Sequence, residues 1–404
     1  MSHAPVLRPI RDDFPALSLG VAHFDGPGGS QVPRAVADAV AGAMTAGLGQ
    51  RGSGTATERR TQAVVADARA AAGDLLGADP AGVVFGRSMT QLTFDLARTL
   101  ARGWAPGDEV VVSRLDHDAN VRPWVIAAER AGATVRWLDL DPVTGELDDP
   151  ATAIGPRTRL VAVTAASNLI GTRPDVAAVT RAAREVGALS YVDAVHLVPH
   201  AAVDATALGA DVVVCSPYKL FGPHLGVLAA PPALLERLHP DKLLPSTDAV
   251  PERFELGTLP YELLAGVTAA VDYVAGLAEA SSVPAELTRR ERVVASMGAV
   301  ERHEETLLAR LLDGLAALPG VTLVGSPAHR TPTVLFSVAG HPGPRVHAHL
   351  GALGVNAPAG NFYALETSRR LGLGDDGAVR AGLAAYSSDD DVDRLLAGVS
   401  ALVR

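Results

Sequence analysis

The chain has a single cysteine, Cys215, in 404 residues. That excludes an internal disulfide and any zinc or iron–sulfur centre built from several thiolates, and it fits a reducing compartment. Apolar stretches are also limited in length, because charges or prolines interrupt each of them. The N-terminal "MSHAPVLRPIRDDFP" contains no apolar core of a signal peptide. No membrane span is expected, and the composition points to a soluble, cytoplasmic protein. No G-x-G-x-x-G follows the first strand pattern; "DGPGGSQVP" has another spacing, which counts against a nicotinamide enzyme. The formal net charge of −10 disfavours nucleic acid and anionic membranes as general partners, while leaving room for a local basic funnel around a small phosphate.

Lysine is nearly as scarce as cysteine. Of 35 basic side chains, only Lys219 and Lys242 are lysines. Lys219 lies in "CSPYKLFGPHLG", just beyond the apolar run "DVVVC". A strand-end lysine is usually a solvated cation. Arginine would serve equally well in that role, but it stays protonated and is a poor nucleophile, whereas a desolvated lysine amine attacks carbonyls.

The remaining composition is globular, with 48% hydrophobic and 20% charged residues and a length suited to about two to three domains. Strand-like runs at 81–86, 108–113, 134–140, 159–166, 189–194, 210–216 and 225–231 alternate with helical patterns such as "TQLTFDLARTLARG", "ANVRPWVIAAERAG" and "PDVAAVTRAAREVG". Apolar strands separated by helices of this length predict an α/β domain with a mostly parallel sheet sandwiched by helices. From about 286 the texture changes to long helical material, followed by a smaller α/β pattern. The expected organisation is an N-terminal segment, 1–25, packed on the small domain, a large domain, 26–285, and a small C-terminal domain, 286–404. There is no internal repeat.

Ligands of open α/β sheets sit beyond the carboxyl ends of the strands. Those positions carry Ser88 and Thr90, Asp116 and His117, Ser167 and Asn168, Asp193 and His196, and Ser216 and Lys219. Pyridoxal 5′-phosphate requires an amine for its aldehyde, a carboxylate for its ring nitrogen, a flat group over the ring, a donor for its phenolic oxygen and hydroxyls at a helix N-terminus for its phosphate. Lys219, Asp193, His117, Asn168 or His196, and Ser88, Thr90 and Ser216 meet these needs in turn. A carboxylate closing the apolar strand "LSYVDA" needs a partner, and a pyridinium would be one. Two rival readings are a metal site on Asp193, His196 and His200 of "DAVHLVPH", in which Pro199 interrupts the helical spacing, and an inactive binding protein, against which Lys219 speaks.

At these residues the sequence resembles the class V aminotransferase family of fold-type I PLP enzymes, and within it the cysteine desulfurase-like branch. The likeness rests on "FDGPGGSQVP", "DHDAN", "SNLIGT", "YVDAVHLVPH" with "GADVVVCSPYKLFGPHLGVL", "FELGT" and "VRAGLAAYSS", in the family's order over most of the chain. It implies that Lys219 holds the cofactor and moves protons, Asp193 pairs with the ring nitrogen, and His117 stacks on the ring. It also implies that Ser88, Thr90 and Ser216 bind the phosphate, with Met89 among the cofactor-binding residues and Thr258 arriving from the other subunit of a homodimer. His196 stands where desulfurases usually have a glutamine facing the phenolic oxygen. Asn168 would touch the cofactor or substrate, and Arg380 would grip the carboxylate of an amino-acid substrate.

Two departures stand out. Where desulfurases carry a mobile cysteine, this chain reads "NAPAGNFYALETS", with Asn361, Phe362 and Tyr363 as candidates for substrate choice and no thiol. Tyr218 replaces the histidine that often neighbours the lysine. The expected activity is therefore C–S cleavage or another β-elimination without a protein persulfide, with aminotransfer or epimerisation as the alternative.

Overall fold

The computed structural model describes residues 4–403. Seven strands form one sheet: β1 (Val83–Gly86), β2 (Glu109–Ser113), β3 (Thr134–Leu138), β4 (Thr158–Thr164), β5 (Leu189–Asp193), β6 (Val212–Cys215) and β7 (Gly226–Ala229). Their spatial order is β1-β7-β6-β5-β4-β2-β3. All neighbours are parallel except β7, which runs against both β1 and β6. The valine-rich runs thus become strands because both of their faces are covered.

Alternate side chains supply the two halves of the core. Val111, Val161, Val163, Val192 and Val213 face helices α2 (Ala56–Leu76), α5 (Val176–Glu185) and α6 (Tyr261–Ala275). Val110, Val112, Leu160, Ala162 and Val214 face α3 (Met89–Ala101) and α4 (Arg122–Ala131), where Trp124 is fully buried against Tyr191. Alternation does not reveal α1 (Arg34–Thr45) or α2, whose alanine-rich apolar faces contrast weakly with their surroundings. A capping box between Thr55 and Glu58 marks the start of α2 instead.

The C-terminal region forms its own antiparallel sheet from β8 (Val321–Val324), β9 (Thr333–Val338), β10 (Ala359–Gly360) and β11 (Ala378–Gly382), in the order β10-β11-β9-β8. It is packed by α8 (Gly343–Ala352) and α9 (Asp389–Leu402). Helix α7 (Arg289–Ala316) serves both cores, with Val293, Met297 and Val300 in the first and Leu307, Leu311 and Leu315 in the second. The N-terminal segment also divides. Ala22–His23 pairs with Val355–Asn356, whereas Phe14 packs edge-on against Phe221 and Tyr273.

Two local devices fix the strand ends that matter. A Cβ at Gly226 would lie 2.2 Å from the carbonyl carbon of Ser88, so only glycine lets β7 press against the start of α3. The "FELGT" segment is pinned by Glu255, which accepts from both Nη atoms of Arg69 at 3.0 and 2.8 Å and from the Phe85 amide at 2.9 Å. Arg69 also donates to the Val83 carbonyl. Glu255→Ala leaves that buried guanidinium with only the longer contact to Glu252, at 3.6 Å, as a counter-charge. We expect a loss of about 3 kcal/mol in urea denaturation, and a smaller one, about 1 kcal/mol, for Glu252→Ala, which pairs with part-exposed Arg51 at 2.9 Å and reaches Arg69 only at 3.6 Å.

Candidate active site

The carboxyl ends of β1, β2, β4, β5 and β6 converge on one cavity. Ser88, Met89, Thr90, His117, Asn168, Asp193, His196, Ser216 and Lys219 all line it, together with Thr164 and Tyr218. It opens into a hollow of about 560 Å³ that adds Gly28, Arg122, Phe362, Tyr363 and Arg380 to the walls. Two candidates fall outside. Thr258 is exposed on the surface of its own chain. Asn361 turns its amide onto the Asp375 carbonyl and accepts from the Tyr363 amide, so it braces the loop and lines neither space.

Burial sets the electrostatics. Lys219 is 8% exposed and donates to the Pro27 carbonyl. Desolvation, reinforced by the positive Arg380 and opposed by Asp193, brings its ammonium down to about 8. A neutral fraction on the order of a tenth therefore exists at pH 7. Asp193 accepts from the Val195 amide at 2.9 Å, and burial raises its carboxyl to about 6. Burial, with the charges of Lys219 and Arg380, pushes His117 down to about 3, so its ring is neutral. His117 Nδ1 accepts from the Ala119 amide at 3.0 Å, which fixes the ring's orientation.

Behind His117, Asp116 is wholly enclosed. It accepts from Asn120 at 2.6 Å, from the Thr164 amide at 3.0 Å and from Ser113. Its strand-end position alone assigned it no role, yet it ties β2 to β4 directly beneath the site.

Arg380, on β11, is 2% exposed. It donates from Nη1 to the Asn168 carbonyl at 2.8 Å and lies 3.7 Å over the Phe362 ring. Among the described residues no carboxylate forms an ion pair with it, and desolvation lowers it to about 9. Phe362 and Tyr363 adopt positive φ of 51° and 60°, a strained pair for non-glycine residues. The strain is held by Asn168 Nδ2 donating to the Phe362 carbonyl at 3.0 Å and by the Asp118 amide donating to the Tyr363 carbonyl at 2.7 Å.

The metal-like spacing of Asp193, His196 and His200 resolves otherwise. His200 Nδ1 meets Glu304 at 3.0 Å and His196 Nε2 meets the hydroxyls of Thr333 and Thr331. Three buried polar atoms around the cavity have no partner in the protein: His196 Nδ1, Asn168 Oδ1 and Arg380 Nε. A desolvated cation, a raised carboxyl and these orphaned atoms require a polar ligand that carries both a base and anionic groups. Pyridoxal phosphate with an amino acid has that character.

The aminotransferase class-V family profile matches residues 22–395. The chain belongs to the class-V aminotransferase family. It is a PLP-dependent enzyme of the cysteine desulfurase-like branch. Relatives of this class-V chain include an uncharacterized protein of Mycobacterium tuberculosis, 36% identical over 97% of this chain and 98% of its own. Another is a probable cysteine desulfurase of Pseudomonas aeruginosa, 35% identical over 96% of each chain. Among solved structures, a cysteine desulfurase from Thermococcus onnurineus superposes with a TM-score of 0.88 at 26% identity, covering 100% of this chain and 99% of that one. The cysteine desulfurase CsdA of Escherichia coli gives 0.84 at 26% identity, covering 99% and 100%. Among the described residues, no helix is long and apolar enough to cross a membrane.

The raised Asp193 carboxyl has a measurable consequence without any ligand. The folded state holds a proton on it between about 3.8 and about 6 that the unfolded state releases. Above that window the buried charge destabilises the cofactor-free protein; below it the penalty is gone. Asp193→Asn is therefore expected to stabilise cofactor-free protein by up to about 3 kcal/mol at pH 8 and by less than about 1 kcal/mol at pH 4. Denaturant midpoints at the two pH values check this, and the same variant should bind PLP more weakly.

Proposed function

We propose that this chain cleaves the Cβ–S bond of a cysteine-like L-amino acid by β-elimination, without passing sulfur through a protein persulfide. The observation that carries the proposal is the location of the only thiol. Cys215 ends β6 inside the core at 1% exposure. Burial and the nearby Asp193 charge push it up to about 12. Sulfur acceptance requires a mobile thiolate. Cys215 is neither ionised nor free to travel, and the loop beside Arg380 carries Phe362 and Tyr363 instead.

Bound pyridoxal phosphate would supply an aldehyde for amines and a ring that accepts electrons from bonds broken at the substrate's α-carbon. The protein's share follows from its own groups. Lys219 is the amine that would hold the aldehyde, and its buried side chain, tuned to about 8, would be placed to take a proton from a substrate α-carbon. Asp193 would hold the ring nitrogen, keeping a proton on it, and that pairing would offset the cost of its buried charge. Neutral His117 would cover one face of the ring. Ser88, Met89 and Thr90 present the N-terminus of α3 to the phosphate, with Ser216 beside them. Ser88 Oγ already accepts from the Gln91 amide at 3.1 Å, so it contributes mainly through its hydroxyl proton.

Arg380 receives the substrate carboxylate, its plane fixed by Phe362 and by the Asn168 carbonyl. Tyr363, 73% exposed and 5.4 Å from the His117 ring, lies where the substrate's side chain would leave the site. A homodimer would bring Thr258 of a second copy to the phosphate; its exposure here is compatible with that role.

With L-cysteine the expected products are sulfide, pyruvate and ammonia in equal amounts, and Cys215→Ala should retain turnover within about threefold. Alanine as product, with activity lost in Cys215→Ala, would establish the persulfide route instead. A keto acid retaining its sulfur would identify aminotransfer, and exchange of the α-proton with inversion would identify epimerisation.

A further inference from the structure

His196 reaches the cavity from the loop after β5, but its ring is held from the other domain. Its Nε2 lies 3.0 Å from Thr333 Oγ1, at the first residue of β9, and 3.2 Å from Thr331 Oγ1. All three side chains are buried, with Thr333 at 0% exposure. Thr331 directs its hydroxyl toward the Gly171 carbonyl at 3.4 Å. Thr333 has no other side-chain hydrogen bond among the described residues, so a dry hydroxyl proton has one place to go. If Nε2 carried the imidazole proton, the Thr333 proton would be stranded and Nδ1 would face the cavity as a bare lone pair. If Nδ1 carries it, Thr333 donates to Nε2, and Nδ1–H is the one donor left pointing at the ligand. Nδ1 is indeed without a protein partner.

We propose that Thr333 is a positioning residue that fixes His196 in its Nδ1–H form, so that this histidine donates to the phenolic oxygen of the cofactor. The proposal rests on the PLP reading above. The groups facing His196 keep the ring neutral while it does so. Burial opposes a second proton most, and His200, ring to ring at 5.1 Å from the same loop, Lys219 beyond β6, and Arg380 on β11 oppose it further. His200 is itself anchored by Glu304 of α7 at 3.0 Å. A neutral histidine of defined tautomer thereby does the work of an amide donor, with the tautomer chosen by the small-domain strand.

The test is the pH titration of the visible band of PLP-loaded protein in wild type, Thr333→Val and Thr333→Ser. A donor to the phenolic oxygen stabilises the more anionic chromophore. Losing it should move the midpoint upward by about one pH unit in Thr333→Val, while Thr333→Ser, which keeps the hydroxyl, should titrate as wild type. A Thr333→Val midpoint equal to wild type overturns the proposal and leaves the cofactor reading standing. Wild type that takes up no PLP overturns the cofactor reading first. Should Thr333→Val fold poorly, imidazole ¹⁵N shifts of His196 in loaded wild type decide: protonated Nδ1 with bare Nε2 supports the proposal, and protonated Nε2 refutes it.

Discussion

The burial of Lys219 between Asp193 and Arg380 is the constraint on which the rest of the site depends. Three ionisable groups line the adjoining cavities, and among the described residues none of them forms an ion pair. Lys219 is lowered, Asp193 is raised and Arg380 is lowered, each mainly by desolvation. Such an arrangement costs stability in the empty protein and becomes favourable when a ligand brings opposite charges to each group. The sheet makes it affordable: apolar strands on both faces anchor the ends from which these side chains project.

The second constraint is the seam between the seven-stranded sheet and the C-terminal sheet. Large-domain strand ends supply Lys219, Asp193, His117 and His196, while Arg380, Phe362 and Thr333 come from the C-terminal sheet and its loops. Helix α7 runs through both cores and places Glu304 against His200. In the reading proposed above, the cavity is completed only where the two sheets meet, so a change near the C-terminal sheet would reach the surroundings of Lys219 without touching it.

Much of this was legible because burial writes itself into sequence. Runs such as "RLVAVTAA" and "ADVVVCS" could only be doubly covered strands, and polar residues directly after them had to face a common edge. Lys219 stood out because the chain otherwise uses arginine almost throughout. Other features had no local signal. Thr333 and Glu304 matter only through partners more than a hundred residues away in sequence. Asn361 looked like a ligand contact by type, yet loop geometry turns it onto Asp375. Asp116 offered a carboxylate beside a histidine, and nothing in its neighbours announced the closed set of donors around it.

The central claim, that Lys219 is the amine that holds the cofactor, has a direct test in a chain with two lysines. Protein loaded with PLP, reduced with borohydride and digested should carry its single pyridoxyl group on the peptide containing Lys219. A label on Lys242, whose ammonium pairs with Asp248 near the surface, or no stable label at all, would contradict the account.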